Sequence, residues 1–458
     1  TATGLLLALQ ATRRSLWVMP FGVAAGTLLG VLGKETALVG LGLLPLLVWL
    51  TAPSLHGERP RRWLRALVAL VALALVTVLY VEVRRRVFPA PLPASLAAPL
   101  PATASPPQRM AHALARWFHQ PQLPTNELNN PLSIVPASRR VAAALSIYAR
   151  GLGQVLFPWT LSGDYSYPQE LAPRSLLAPW VLVGALLMAG PLLLALLLAT
   201  WRLGRDTSSS QGALGERALL VAGLAWIPLA YFPVSNLLIV LPTVRAERLW
   251  YVPALGAAWL IALGTQGLLR RARSPRGALA ARVVVLAFFA FQLVAARRHA
   301  CDYADDLAFW GATRRASPLS AKAHLNYSIM LGARGRLAER VVVGQRAVQL
   351  APEWPMAHVY QGDALCRDGK PEQALPFYEA GFELSPDNKS LIALGLQCLW
   401  ETKHLMDYEG RLRAVAERHP GSWLAYLIDD LFLHGGQYGG VRPEYRPRSY
   451  NAKRPSGE

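Results

Sequence analysis

Near residue 297 this chain changes character, because long apolar segments stop and prolines begin to recur at a constant interval. The prolines are Pro318, Pro352, Pro386 and Pro420, each 34 residues after the one before it. An interval of this size indicates a repeated helix-turn-helix unit, and such units stack into a solenoid with a concave binding face. The pattern therefore predicts a membrane-embedded part followed by a helical arm of stacked repeats.

The composition agrees with this division. Charged residues make up 16% of the chain, well below the roughly 25% of soluble domains. The interval of 34 residues is typical of the tetratricopeptide repeat. We predict an all-α fold, with a polytopic transmembrane helix bundle at 1–300 and a tetratricopeptide-repeat α-solenoid of about three repeats at 301–420. Residues 421–458 are predicted to form an irregular tail.

Several apolar runs have the length that a membrane-spanning helix needs, about 17 to 25 residues. We predict spans at 15–33, 36–52, 64–82, 176–200, 218–234, 249–269 and 278–296, with residues 1–12 as the tail of one more. Arginine clusters separate consecutive pairs of these runs, and positive charge favours the cytoplasmic side. With these clusters on the cytoplasmic side, successive spans cross the membrane in alternating directions, provided that segment 139–157 does not cross it.

Segment 139–157 carries Arg150 in its middle, and an arginine at the bilayer centre costs several kcal/mol. We therefore place this segment on the outer face, as an interfacial or re-entrant helix within a long outer loop at 84–175. In this topology the loop at 158–173 lies on the extracytoplasmic side. The repeat arm emerges on the same side.

The net charge of +19 comes almost entirely from arginine, much of it at the ends of apolar runs. We interpret it as a determinant of topology and of contact with anionic membrane lipid, and not as a nucleic-acid surface. The three cysteines are Cys301, Cys366 and Cys398, without CxxC spacing. Cys366 and Cys398 fall in the first helices of two repeats, where we predict buried thiols rather than a disulfide or metal ligands.

Two groups of ionisable residues next to apolar runs are candidates for a substrate site. Lys34 and Glu35 are either a functional pair at membrane depth or an interfacial ion pair that ends a helix. Arg245, Glu247 and Arg248 precede a predicted span. Two guanidinium groups match the oxygens of a lipid phosphate, and the glutamate is able to orient one of them. The alternative is an interfacial belt of arginine and aromatic residues.

Asp164 lies in a short loop with several hydroxyl side chains, which is able to bind sugar hydroxyls or to hold a general base. Ser, Gly and Asp are also ordinary turn residues. Asp305 and Asp306 are predicted to start a solvated helix. The sequence contains no nucleotide-binding or protease motif and no zinc spacing, so no metal site is predicted.

Three segments resemble one family, the transmembrane-and-tetratricopeptide-repeat O-mannosyltransferases (TMTC type) and their bacterial relatives. The motifs are Gly33-Lys34-Glu35; then Asn130-Pro131 and Arg139-Arg140 ahead of Leu156-Phe157-Pro158-Trp159, Leu161-Ser162 and Asp164-Tyr165-Ser166; then Ser235-Asn236-Leu237, Arg245-Ala246-Glu247-Arg248 and Tyr251-Val252-Pro253. Their order and the trailing repeats agree with the family, so the resemblance covers most of the chain.

The resemblance implies a type C membrane glycosyltransferase fold. It also implies transfer of a sugar from a polyprenyl-phosphate donor to a protein hydroxyl, on the extracytoplasmic face of a bacterial inner membrane, with inversion at the anomeric carbon. Arg245 and Arg248 are assigned to the phosphate, Lys34 and Glu35 to the electrostatic frame, and Asp164 to the sugar or acceptor. Glu35 and Asp164 are the candidate catalytic residues. The repeat groove is expected to bind the protein acceptor or another partner.

The sequence also departs from the family pattern. The acidic catalytic residues of the family lie in its first outer loop, which has no counterpart here, so we expect an N-terminally truncated chain. Arg340 and Gly344 stand where the repeats usually have small and aromatic residues. Two other functions remain open: a non-catalytic membrane scaffold that binds partners through its repeats, and a polysaccharide ligase or polymerase.

Overall fold

The computed structural model of the chain describes residues 16–33, 59–89, 94–101, 103–118, 126–201, 211–237 and 240–433, with a few single positions between 37 and 48 and at 92. Regular structure in these ranges is helical, and no strand occurs in them. The predicted all-α class is therefore confirmed for the described residues.

The α-helices of these ranges follow one another along the chain as α1 (Met19–Gly33), α2 (Arg59–Val87), α3 (Ala94–Ala97), α4 (Pro106–Phe118), α5 (Ala137–Leu156), α6 (Pro179–Trp201), α7 (Gln211–Tyr231), α8 (Pro253–Arg271), α9 (Pro275–Cys301), α10 (Asp306–Ala316), α11 (Ala321–Gly332), α12 (Leu337–Leu350), α13 (Pro355–Arg367), α14 (Pro371–Leu384), α15 (Lys389–Glu401), α16 (Glu409–Glu417) and α17 (Trp423–Leu433). Several begin with proline, whose fixed φ and missing N–H suit the first position of a helix.

Within the described residues, four helical segments are long and apolar enough to cross a membrane. They are Trp63–Val87, Pro179–Ala199, Glu216–Val234 and Pro275–Cys301. These segments coincide with four predicted spans. The chain is therefore a membrane protein, and the apolar side chains that these helices expose are suited to lipid rather than to water.

The other predicted spans are not among these four segments. The span predicted at 15–33 contains the shorter helix α1, and the span predicted at 249–269 overlaps α8. Helix α8 carries Thr265 and Gln266 and ends in Arg270 and Arg271, so its apolar stretch is shorter than in the four long segments. The spans predicted at 36–52 and 1–12 lie largely or wholly outside the described residues.

The helices after α10 pack in successive pairs, α11 with α12 and α13 with α14. The turn inside each pair contains a residue in the left-handed region, Gly335 at φ 72° and Gly369 at φ 78°, and Lys403 after α15 adopts φ 64°. These three positions have the same 34-residue interval as the prolines. The sequence period is thus matched by a backbone period.

The core of this C-terminal helical region extends beyond the predicted repeat boundary at residue 420. Tyr378 and Phe382 of α14 are fully buried, and so are Leu424 and Ile428 of α17, in the same cluster. The irregular tail predicted from residue 421 therefore does not apply to α17. Apolar residues recur along α17 at helical spacing and place one face in the core.

Cys366 and Cys398 form a disulfide, so the prediction that both are buried free thiols was wrong. Both side chains are buried as predicted, but α13 and α15 bring them together across a sequence separation of 32 residues. This separation is close to the 34-residue period, and the helices that carry the two cysteines are in contact. CxxC spacing identifies only cysteines that are close in the sequence. The pairing of Cys366 with Cys398 follows instead from the 34-residue period.

Arg340 and Gly344, the residues that depart from the usual repeat pattern, both meet α13. Arg340 forms an ion pair with Asp363 at 2.6 Å, and the two side chains are 7% and 5% exposed. A Cβ atom on Gly344 would lie 2.3 Å from Oε1 of Gln361. Both departures are therefore local adaptations between α12 and α13.

Gly369 and Lys403 provide a matched test of the turn conformation. A Cβ at Gly369 would meet no atom within 4 Å, so Gly369→Ala introduces only backbone strain. We expect it to destabilise the helical region by about 1–2 kcal/mol, and Lys403→Gly to stabilise it by a fraction of that. Thermal unfolding of the two variants in detergent checks the opposite signs. Equal shifts of the same sign would contradict the left-handed assignment.

Candidate functional site

The candidate site is centred on a buried carboxylate, Glu170, in the loop between α5 and α6. Its side chain is 3% exposed and lies between two guanidinium groups. Arg150 of α5 approaches Glu170 Oε2 at 2.6 Å, and Arg245 approaches Oε1 at 2.6 Å. One carboxylate therefore partly neutralises two cations, and it fixes the segment before α8 against α5.

Arg245 contacts two further side chains besides Glu170. It donates to Gln154 Oε1 at 2.5 Å, and its guanidinium lies 4.3 Å from the ring centroid of Tyr165. Only 7% of its side chain is exposed. Arg245 was predicted to bind a phosphate, and the structure places its side chain inside the protein, against Glu170, Gln154 and Tyr165.

Glu247 is two residues further along the chain and connects three elements. Its Oε1 accepts hydrogen bonds from the Tyr165 hydroxyl at 2.8 Å and from the Ser162 backbone N–H at 2.5 Å. Its Oε2 lies 3.3 Å from Nε2 of His299 in α9, whose Nδ1 lies 3.2 Å from Asp302. Glu247 therefore joins the α5–α6 loop to the end of the last long apolar helix.

The two tyrosines near Glu247 are held in their neutral form. Burial, with the charge of Glu247 as a second cause, raises the pKa of Tyr165 above its ordinary value. Burial also raises the pKa of Tyr303, and the carboxylates of Glu247 and Asp302 add to the effect. Both phenols thus keep their protons, and the Tyr165 hydroxyl remains the donor to Glu247.

Arg248 is the predicted cation that remains accessible. It follows Glu247 in a single 3₁₀ turn, Glu247–Trp250, just before α8. Its side chain is exposed, and the described part of the chain gives it no hydrogen bond or ion pair. Trp250 of the same turn is buried against Gly151, where a Cβ would lie 2.3 Å from the indole Nε1. A rigid turn therefore presents an exposed guanidinium.

Asp164 binds the first helices of the C-terminal region. Its Oδ2 accepts a hydrogen bond at 2.8 Å from Ser320, whose hydroxyl also caps α11 by accepting from the Ala323 N–H at 3.0 Å. Its Oδ1 lies 3.6 Å from the ammonium group of Lys322, and its side chain is 11% exposed. Asp164 was predicted to bind a sugar or an acceptor. The structure places it in the contact between loop and helices.

Neighbouring residues extend this contact. The Ser317 hydroxyl donates to Ser162 at 2.8 Å, and the Ala321 N–H donates to the Tyr167 carbonyl at 3.2 Å. A Cβ on Gly163 would lie 2.2 Å from the ring of Phe309, so only glycine fits there. The loop therefore docks closely on α10 and the start of α11, through polar and apolar contacts together.

Two further motifs that the sequence singled out also meet. The Asn130 side chain donates to Asn236 Oδ1 at 3.0 Å and to the Leu241 carbonyl at 2.7 Å. Asn236 adopts φ 63°, which asparagine tolerates better than most residues, and its amide donates to the Val244 carbonyl at 3.1 Å. These bonds hold the segment that leads to Arg245. Lys34 and Glu35 lie outside the described residues.

The residues that sequence reasoning missed are Glu170, Gln154, Tyr165 as a ligand of Glu247, and His299. Glu170 follows a proline and a glutamine, with no motif around it, and His299 lies at the end of an apolar helix. The presence of Arg150 in an otherwise apolar segment was the available signal, because a charged group that is partly removed from water is stabilised by a partner of opposite charge. Among the described residues, no group of three His, Cys, Asp or Glu side chains is arranged to hold a metal ion.

Comparison with known proteins gives two partial matches. The chain is 30% identical to protein O-mannosyl-transferase Tmtc2 of Drosophila melanogaster over 140 residues, which are 31% of this chain and 14% of that protein. It is 26% identical to protein O-mannosyl-transferase Tmtc3 of the same organism over 158 residues, which are 34% of this chain and 17% of that protein. The similarity is therefore local.

No family model matches the chain, and no solved structure matches it. The matched regions span less than a fifth of the length of either relative. Together with the four long apolar helices, they describe a membrane protein with distant, partial similarity to protein O-mannosyltransferases.

The buried ion cluster can be tested with Glu170→Gln. The variant keeps the side-chain shape but leaves Arg150 and Arg245 as like charges without a carboxylate, and breaking a buried ion pair costs about 3–5 kcal/mol. We expect a clearly lower thermal midpoint in detergent, measured by scanning fluorimetry. Glu353→Gln, at an exposed position, is the matched control. Equal midpoints for the two variants would contradict the role given to Glu170.

The docking contact can be tested with Asp164→Asn. The variant loses the charge that faces Lys322 and weakens the bonds to Ser320, and hydrogen bonds to charged groups contribute about 1.5–3 kcal/mol. Hydrogen exchange by mass spectrometry should speed up in 159–170 and 317–323. Exchange in 355–384 should stay as in the wild type. Unchanged exchange in the first two segments would show that Asp164 does not hold the contact.

Proposed function

We propose that this protein is a membrane glycosyltransferase that moves a sugar, mannose or one like it, from a polyprenyl-phosphate donor to a hydroxyl group of a protein acceptor. In the transfer, the bond between the anomeric carbon and the phosphate oxygen breaks. A bond to the acceptor oxygen forms with inversion, the polyprenyl phosphate leaves, and the acceptor hydroxyl gives its proton to a carboxylate base. The local similarity to two protein O-mannosyltransferases and the helical membrane body support this class.

The observation that carries the proposal is the exposed Arg248 on a turn that is fixed from several sides. Glu247 before it is held by Tyr165 and Ser162, and Arg245 is held by Glu170. A guanidinium offers paired donors that match phosphate oxygens, and a fixed cation stabilises the charge that develops on a leaving phosphate. In this proposal Arg248 contacts the phosphate, and Arg245 positions the turn.

The other predicted site residues take part in this proposal in different ways. Lys34 and Glu35 keep the role that the resemblance implies, as an electrostatic frame for the donor. Asp164 acts through the docking contact, because its carboxylate faces Ser320 and Lys322. The proposal also gives the C-terminal helices the arrangement of a tetratricopeptide-repeat solenoid that binds the acceptor. Their 34-residue period supports this assignment.

The disulfide supports an extracytoplasmic position of the C-terminal region. Disulfides persist in oxidising compartments and are rare in the cytosol. The Cys366–Cys398 bond lies in that region. Helix α9 ends at Cys301, just before it. The candidate site is joined to the same region through Asp164 and Glu247, so both belong to one side of the membrane.

The role of Arg248 can be tested with Arg248→Gln and Arg248→Lys in the full-length gene product. The glutamine variant loses a charge-assisted contact of about 1.5–3 kcal/mol, so we expect roughly 10- to 150-fold weaker binding of a polyprenyl monophosphate and a similar loss of transfer. The lysine variant keeps the charge but not the paired donors, and it should lose less.

Arg271→Gln is the control for this experiment, because Arg271 is exposed at the other end of α8. The proposal fails if Arg248→Gln binds the monophosphate as well as Arg271→Gln does. Tighter binding of a polyprenyl diphosphate than of the monophosphate would instead favour a polysaccharide ligase or polymerase.

The orientation can be tested at Cys301, the exposed cysteine outside the disulfide. A membrane-impermeant maleimide should label Cys301 in intact cells or spheroplasts. Cys366 and Cys398 should react only after reduction. A Cys301→Ser variant gives the background. Labelling of Cys301 that requires permeabilised membranes would place the C-terminal region in the cytoplasm and would contradict the proposed orientation.

A further inference from the structure

Helix α4, in the long loop after α2, has two chemically distinct faces. At 100° per residue, its large apolar residues fall on one side and its basic residues on the other. The first set is Met110, Leu114 and Trp117, and the second is Arg109, His112 and Arg116. Neither the proposed transfer nor the docking contact uses this helix.

The apolar face is largely uncovered. Met110 is 65% exposed and Leu114 is 49% exposed. Large apolar side chains that lie side by side and exposed on one helix mark a surface that binds apolar groups.

The position of α4 identifies its partner. The indole N–H of Trp117 donates to Glu82 Oε2 at 3.1 Å. Glu82 lies in the last turns of the membrane-spanning segment Trp63–Val87. The C-terminal end of α4 is therefore at the level where that span ends, which is the boundary between the acyl chains and the headgroups. Tryptophan is enriched at this depth in membrane proteins.

The charges around α4 identify the lipid headgroup. Arg109 and Arg116 are exposed on the face opposite to Met110 and Leu114. Arg85 and Arg86 bind Glu82 close to Trp117 and add cationic charge at the same level. A basic face above an apolar face is the pattern of helices that lie in the interface and attract anionic lipids.

We propose that α4 lies in the membrane interface at the end of α2, with Met110 and Leu114 among the acyl chains and Arg109 and Arg116 against anionic phospholipid headgroups. The helix ties the long loop to the bilayer surface. This inference does not depend on the proposed transfer reaction, and it holds for whichever leaflet contains the end of α2.

The proposal can be tested by spin labelling of the full chain in nanodiscs. Cys301→Ser removes the exposed cysteine, and the disulfide of Cys366 and Cys398 stays oxidised. Single cysteines at Met110 and Leu114 then carry a nitroxide, and Ala115, which lies away from the apolar face, is the matched control. Accessibility to oxygen reports lipid, and accessibility to a water-soluble nickel chelate reports solvent.

In nanodiscs of phosphatidylcholine with phosphatidylglycerol, we expect the ratio of oxygen to nickel accessibility at 110 and 114 to exceed that at 115 several-fold. The difference should shrink in phosphatidylcholine alone, and also when Arg109→Gln and Arg116→Gln are combined. Nickel accessibility at 110 and 114 equal to that at 115 would overturn the proposal. Protection from both reagents would also overturn it, since it would indicate a protein partner. The same large ratio of oxygen to nickel accessibility in both lipid mixtures would overturn the proposed contact with anionic headgroups.

Discussion

The ion cluster of Arg150, Glu170 and Arg245 is the interaction on which the rest of the site depends. Arg245 is buried and Arg150 is partly exposed, and the repulsion between their two guanidinium groups is offset by the carboxylate of Glu170 between them. Because Arg150 belongs to α5 and Arg245 precedes α8, the cluster joins two helices that are far apart in the sequence. Glu247 and Arg248 follow Arg245 directly, so their positions are consequences of this cluster.

A second set of contacts couples the site to the C-terminal helices. The α5–α6 loop supplies Glu170 to the ion cluster, and it also supplies Asp164 to Ser320 and Lys322. A short loop thus serves both the membrane body and the helical region. Glu247 adds a link to His299 at the end of α9. Movement of the helical region would therefore shift the turn that carries Arg248.

The periodic parts of the fold could be predicted from the sequence, because apolar length and a constant repeat interval depend on local pattern. The site could be predicted only in part. Arg245 and Arg248 were both assigned to a phosphate, and the sequence did not indicate that Arg248 is exposed while Arg245 is buried against Glu170. The ion cluster forms between segments that are distant in the sequence. No local pattern around Glu170 indicates which of these segments meet. The disulfide was missed for the same reason, since it joins α13 to α15 across a sequence separation of 32 residues rather than two neighbouring cysteines.

The docking contact lies mainly at the beginning of the helical region, from Phe309 to Lys322, and Tyr167 of the loop also packs in one cluster with Ala321 and Ala351. The later helices extend from this fixed end and contact mainly their neighbours. The length of the arm is therefore independent of its attachment. Insertion or loss of a whole helical pair beyond α12 would change how far the helical region extends, while the membrane body would need no change. Such a protein can vary in length by units of one helical pair.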